Sequence, residues 1–219
     1  MQDVLADLVK IWRSGGTAGV GTVVRTFSSA PRSPGAYMVV APDGSVSGSV
    51  SGGCVESAVY ELATETIQTG KPTLTRYGVS DDDAFAVGLT CGGTIDIFTE
   101  AISEKTFSDL GLVAEAIADH RPVAVATVIA HTVADEVGRR LVITPDDVSG
   151  TLGSSRMDGA VVDDARGLLA SGRSEVLSYG PNGQRRGEGM AVFVASHAPR
   201  PRMLVFGAID FAAAVAEQG

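Results

Sequence analysis

Cys54 and Cys91 are the two cysteines of a 219-residue chain, and each stands in a glycine-rich turn. One follows a glycine pair in Ser51-Gly52-Gly53-Cys54-Val55-Glu56, and the other precedes one in Gly88-Leu89-Thr90-Cys91-Gly92-Gly93. Turns without Cβ atoms let an anion approach backbone N–H groups, and the open N–H groups of a helix start attract one. With a helix expected from Gly53 onward, the first turn reads as a phosphate cradle, and the same helix N-terminus favours the thiolate of Cys54. A thiolate there is a soft ligand or a nucleophile; a small thiol packed against a tight turn is the plainer alternative. If the two turns border one cleft, both thiols line it. Two thiols do not complete a zinc site, which takes four protein ligands or three and a water. His120, His131 and His197 are scattered without ligand spacing.

A third stretch, Ser28-Ser29-Ala30-Pro31-Arg32-Ser33-Pro34-Gly35, offers hydroxyls and one guanidinium on a proline-stiffened loop. Arginine grips phosphate bidentately, so Arg32 is a candidate anion anchor with Ser29 beside it; a surface arginine paired with an acid is the alternative. Ser80-Asp81-Asp82-Asp83 reads as a helix cap rather than a Mg²⁺ site. No G-x-S-x-G, H-E-x-x-H or Walker sequence is present, so neither an ordinary hydrolase nor a kinase is indicated.

The elements that position these turns follow from periodicity. Val4, Leu5, Leu8, Val9 and Trp12 recur at helical spacing. Gly19 to Phe27 and Tyr37 to Ala41 read as strands, with Asp43-Gly44 as a hairpin signal after the second. Val55, Ala58, Val59, Leu62, Ala63 and Ile67 make a one-sided stripe ending at Gly70, and strands at 73–77 and 95–99 bracket the loop that carries Cys91. A helix over 106–119 follows.

The same order then recurs. From Val46 to Gly78 the chain aligns with Val148 to Gly180 at a fixed offset of 102, with nine identities in 33 positions; chance composition gives roughly two. Among them are Gly48/Gly150, Ala58/Ala160, Val59/Val161, Ala63/Ala165 and Tyr77/Tyr179. The expectation is a duplicated β-β-α-β-β unit in one mixed-sheet α/β body: a helix at 1–16, a first copy at 17–104 with both cysteines, and a degenerate second copy at 105–197. Residues 198–219 are expected to be a linker and the truncated start of a Rossmann-like βαβ unit, with a strand over Met203 to Phe206. Ile209-Asp210 stands where a pyrophosphate would need glycine, so dinucleotide binding is not expected. In the second copy the cysteine turn becomes Gly153-Ser154-Ser155-Arg156-Met157-Asp158: the element is kept and the thiol is lost.

Composition narrows the partners. Twenty-six acidic against 17 basic side chains give a net charge of −9, which disfavours phosphate backbones and anionic lipid. No apolar run approaches the ~20 residues needed to span a bilayer. Two cysteines in a chain of this length point to a reducing compartment, so the cytoplasm is expected.

Together the Ser28–Ala36, Gly48–Glu56 and Gly88–Gly93 motifs resemble the signature of the XdhC/CoxI family, the xanthine dehydrogenase accessory factors. The resemblance implies a cofactor-binding chaperone without turnover of its own. Such a protein binds the molybdenum cofactor, protects it while its terminal sulfido ligand is installed, and delivers it to the large subunit of xanthine dehydrogenase or a related molybdenum hydroxylase. A cysteine desulfurase and a second copy of the chain are further partners it suggests. On this resemblance Cys54, Cys91, Ser51, Gly52, Gly53, Glu56, Arg32, Ser29, Gly92 and Gly93 form the candidate cofactor site. A thiol-dependent enzyme acting on the cofactor through Cys54, and a non-catalytic interaction module, are the alternatives.

Overall fold

The computed structural model describes residues 2–28, 30–78, 92–180, 182–199, 204–207 and 209–218. The chain opens with α1 (Gln2–Arg13), followed by β1 (Ala18–Phe27), β2 (Tyr37–Val40), β3 (Val46–Gly48), α2 (Glu56–Thr69), β4 (Thr73–Tyr77) and β5 (Thr94–Ile102). After α3 (Leu110–Ala118) come β6 (Val123–His131), β7 (Arg140–Ile143), β8 (Val148–Gly150), α4 (Ser155–Ser171), β9 (Glu175–Tyr179) and β10 (Met190–His197). A last helix, α5, spans Asp210–Gln218.

The strands form two five-stranded sheets of identical order, β3-β2-β1-β5-β4 and β8-β7-β6-β10-β9. Every pairing is antiparallel, so the α/β class and the repeat hold, with antiparallel sheets where mixed pairing was expected. The reason is topological: α2 carries the chain from one edge strand to the other, so β3 and β4, which run the same way, never become neighbours. Each unit also has one strand more than expected. Asp43 tightens the β2–β3 turn by accepting from the Ser45 amide (2.9 Å) and hydroxyl (2.6 Å), which lets Val46–Gly48 pair back onto β2.

The repeat extends to irregularities. The β1–β5 ladder skips Val24 and the β6–β10 ladder skips Ile129, and both bulged residues are buried in one cluster with Phe98 and Phe193. That cluster joins the inner faces of the two sheets. Further along the same interface Val20, Val39, Val125 and Val142 pack with Leu8 and Val9 of α1 and Leu110 and Val113 of α3. The outer face of the first sheet carries α2 and that of the second carries α4, giving a helix–sheet–sheet–helix stack. Gly19 and Gly21 allow the close approach of α2: a Cβ on Gly19 would lie 2.5 Å from the Ala63 carbonyl oxygen, and one on Gly21 2.5 Å from a Val59 methyl.

The C-terminal segment departs from expectation. Leu204–Gly207 forms no strand, and Met203 lies outside the described residues. Leu204, Phe206 and Phe211 are 74%, 89% and 80% exposed. Among the described residues no helix is long and apolar enough to cross a membrane.

Candidate functional site

Three strands of the first sheet, β1, β3 and β4, run in the same direction, and the three motif loops leave from their C-terminal ends. The registers fix this: Phe27 pairs with Thr94, Tyr77 with Ile95, and Gly48 with Met38, near the start of β2. The 28–36 loop, the 49–55 turn and the 78–93 loop therefore all depart from one end of the sheet. Beneath them Val50, Val55, Tyr77 and Ile95 are buried in one cluster, with Ala30, Ala36 and the half-buried Cys54 packed against it.

Residues 49–55 are organised around a carboxylate. Glu56 Oε1 accepts from the Ser49 hydroxyl (2.8 Å) and from the amides of Val50 (3.3 Å), Ser51 (2.9 Å) and Gly52 (2.9 Å). Its Oε2 accepts from the Ser51 hydroxyl (2.5 Å) and the amides of Gly53 (2.8 Å) and Val55 (3.2 Å). Such a ring of donors suits an anion, and the protein's own side chain fills it. Burial pushes the Glu56 carboxyl up, but the Ser51 hydroxyl and amide, the Ser49 hydroxyl and the Gly53 amide outweigh it and hold the group at about 2. The amides expected to be free for phosphate are thus already engaged, and Glu56 is the turn's organiser. The helix also starts later than expected, at Glu56, so Cys54 stands ahead of α2 rather than within its first turn.

Comparison with the second unit separates scaffold from specialisation. Asp158 accepts from the Thr151 hydroxyl (2.8 Å) and the Leu152 amide (2.7 Å), and Ser154 caps α4 through the Met157 amide (3.3 Å). In the 102-residue register α4 begins three positions earlier than α2. The first unit gives up that helical start for a loop in which Gly52 (φ +77°) and Gly53 (φ +121°) adopt backbone conformations that disfavour other residues. Where their Cβ atoms would stand no described residue lies within 4 Å, which leaves the turn open on that side among the described residues.

Asp96 is a residue whose importance the sequence reading missed. It is 3% exposed and receives the Arg76 guanidinium at 2.7 and 3.0 Å, with Arg25 Nη1 3.7 Å away. These three side chains tie together the ends of β1, β4 and β5 beneath the motif loops. An acid between two isoleucines in a buried strand, Ile95-Asp96-Ile97, is the signal that could have found it.

Of the other expected site residues, Ser51 is buried, while Gly52, Gly53, Gly92 and Arg32 are exposed and Gly93 is buried. Ser29 and Cys91 lie outside the described residues, and with them the expectation that both thiols share a cleft. Arg32 lines an open cleft of about 870 Å³ together with Ser49 and with Arg173 and His197 of the second unit. Among the described residues no group of three or more His, Cys, Asp or Glu side chains is placed to hold a metal ion.

Known proteins fit this picture. The Escherichia coli K12 protein named molybdenum cofactor insertion chaperone PaoD is 39% identical over 94 residues, 43% of this chain and 29% of its own length. A Bacillus subtilis 168 protein, named as a probable xanthine dehydrogenase subunit, is 32% identical over 90 residues, 40% of this chain and 27% of its own. The chain thus matches less than a third of the length of either relative. The crystal structure of a Bacillus halodurans xanthine dehydrogenase superposes with a TM-score of 0.65 and 20% identity, over 92% of this chain and 53% of that one, so the two share a fold. The profile of the XdhC and CoxI family matches residues 11–78 and 116–180, one stretch in each half of the repeat, and the two stretches end 102 positions apart. With more than half of its length matched, the chain belongs to the XdhC and CoxI family.

Proposed function

We propose that the protein is an accessory factor of molybdenum enzyme maturation, which binds the molybdenum cofactor as cargo and hands it to a xanthine dehydrogenase or related hydroxylase. The observation that carries this reading is the contrast between the units: the fold is kept in both, while the open glycine turn and its cysteine occur only in the first. Family membership and the likeness to the cofactor insertion chaperone support the cargo's identity.

The donor set suits that cargo. Cys54 offers a soft sulfur to a metal that takes sulfur ligands, and Gly52 and Gly53 leave space for a bulky group beside it. Arg32, which lines the cleft beside Ser49, is in this reading the counter-charge to a cofactor phosphate. Glu56 does not touch the cargo in this reading; it holds the turn in the shape that presents Cys54. A role in installing the sulfido ligand, a desulfurase partner and pairing with a second copy extend the proposal.

The test is reconstitution. Apo-hydroxylase is incubated with cofactor in the presence of wild-type chain or Cys54→Ser, and hydroxylase activity is followed. The expected result is faster activation by the wild type than by the variant; activation no faster than with free cofactor contradicts an insertion role.

A further inference from the structure

The wide cleft at the junction of the two units has a counterpart at the other junction, and the two differ in charge. The counterpart, of about 300 Å³, is lined by Glu100, Arg139 and Arg140. There Arg140 pairs with Glu100, and Arg139 lies 2.9 Å from Glu136, so its cations are neutralised within the chain. The wide cleft, of about 870 Å³, has Arg32 from the first unit and Arg173 from the second, and among the described residues no carboxylate in its lining. In a chain of charge −9 such a wall is a local exception.

Its hydrogen-bonding capacity is also unspent. Arg32 has no ion pair among the described residues, and Arg173 has one exposed pair with Glu175 (2.9 Å), of a kind worth little. Ser174 accepts from the Ser196 amide (3.0 Å), which leaves its hydroxyl hydrogen to donate. The buried Ser196 hydroxyl oxygen and His197 Nδ1 have no partner among the described residues, and both residues line this cleft. Buried polar atoms without a partner are costly, and a ligand that satisfied them would recover that cost.

From these features we infer that the cleft is a composite site for a phosphate ester or diphosphate, clamped by Arg32 and Arg173 and received by the hydroxyls of Ser174 and Ser196. Neither unit makes the site alone, which gives the second, thiol-free copy a role in binding. The inference deepens the proposed function in one respect: a bound cofactor's phosphate is one source of the ligand and a free nucleotide is the other.

Titration calorimetry of the full chain with pyrophosphate at low ionic strength tests the site without any molybdenum. Saturable 1:1 binding is expected, weakened on the order of tenfold by Arg32→Ala and by Arg173→Ala, each removing a charge-assisted contact. Ser196→Ala weakens it less, and Arg156→Ala, on the opposite end of the second sheet, leaves it unchanged. Absence of saturable binding, or an equal loss with Arg156→Ala, overturns the inference. Repeating the titration with AMP, and measuring cofactor retention by Arg173→Ala, separates the two sources. If pyrophosphate binding is lost in Arg173→Ala while cofactor retention is unaffected, the clamp stands as a nucleotide-type site; if the chain retains cofactor without binding pyrophosphate, the clamp fails and the cofactor reading survives.

Discussion

Glu56 and Asp158 stand 102 positions apart and close corresponding turns with different reach: Glu56 gathers five amides and two hydroxyls, whereas Asp158 gathers one of each. The extra methylene lets the glutamate carboxylate sit at the centre of a longer, glycine-bearing loop. One framework thus supports a capped helix in the second unit and an open cysteine turn in the first.

Because the folded Glu56 carboxyl is held at about 2, against an ordinary 4.5, its stabilisation is complete above pH 4.5 and is lost as pH falls towards 2. Glu56→Gln is expected to lower stability at pH 7 by about 2 kcal/mol, with wild type and variant converging at low pH. Urea denaturation across pH 2 to 7 is the check; indistinguishable midpoints at neutral pH contradict the role assigned to this side chain.

Gly19 faces α2 so closely that any side chain must displace the Ala63 backbone. Gly19→Val is expected to destabilise the first unit by about 3 kcal/mol, in the range of overpacked cores. Thermal unfolding monitored by circular dichroism would show it. A melting temperature equal to wild type would mean that the helix can move away freely.

Asp96→Asn leaves Arg25 and Arg76 facing a neutral group at the strand ends below the motif loops. Arg76 is largely exposed, so the expected cost is about 2 kcal/mol rather than the larger figure for a fully buried pair. Hydrogen exchange should show faster opening at the ends of β1, β4 and β5, with α4 unaffected. Uniformly unchanged exchange would exclude a tie between those ends.

α5 exposes Phe211 and Val215 to solvent, and among its described side chains only Ala212 is half-covered. A chain shortened after Ala198 is expected to keep the melting temperature of the 219-residue chain within about a degree, as surface segments contribute little. A marked drop would show that the segment packs on the body.

Periodicity and the offset of 102 made the repeat, α2, α4 and the principal strands legible, because each unit buries one helix stripe against alternating strand residues. Other features depend on groups distant in sequence. The all-antiparallel pairing follows from which strand edges meet, and β3 is a three-residue strand too short to show alternation. Ser51-Gly52-Gly53 reads as a turn with amides free for a phosphate, whereas those amides donate to Glu56, since sequence alone does not show whether a donor ring is filled from within. Arg32 stands out through its Pro-Arg-Ser-Pro setting, whereas Arg173, which lines the same cleft, stands in the copy that lacks the thiol and carries no such motif.

The most direct measurement is molybdenum and pterin content after the purified chain is loaded with molybdenum cofactor and passed through gel filtration, with Cys54→Ser and Arg156→Ala run in parallel. Wild type and Arg156→Ala are expected to co-elute with both molybdenum and pterin at a common ratio, while Cys54→Ser loses most of the molybdenum and keeps its elution volume. Co-elution of neither with the wild type, or equal retention by Cys54→Ser, contradicts a cofactor site built on the first-unit turn.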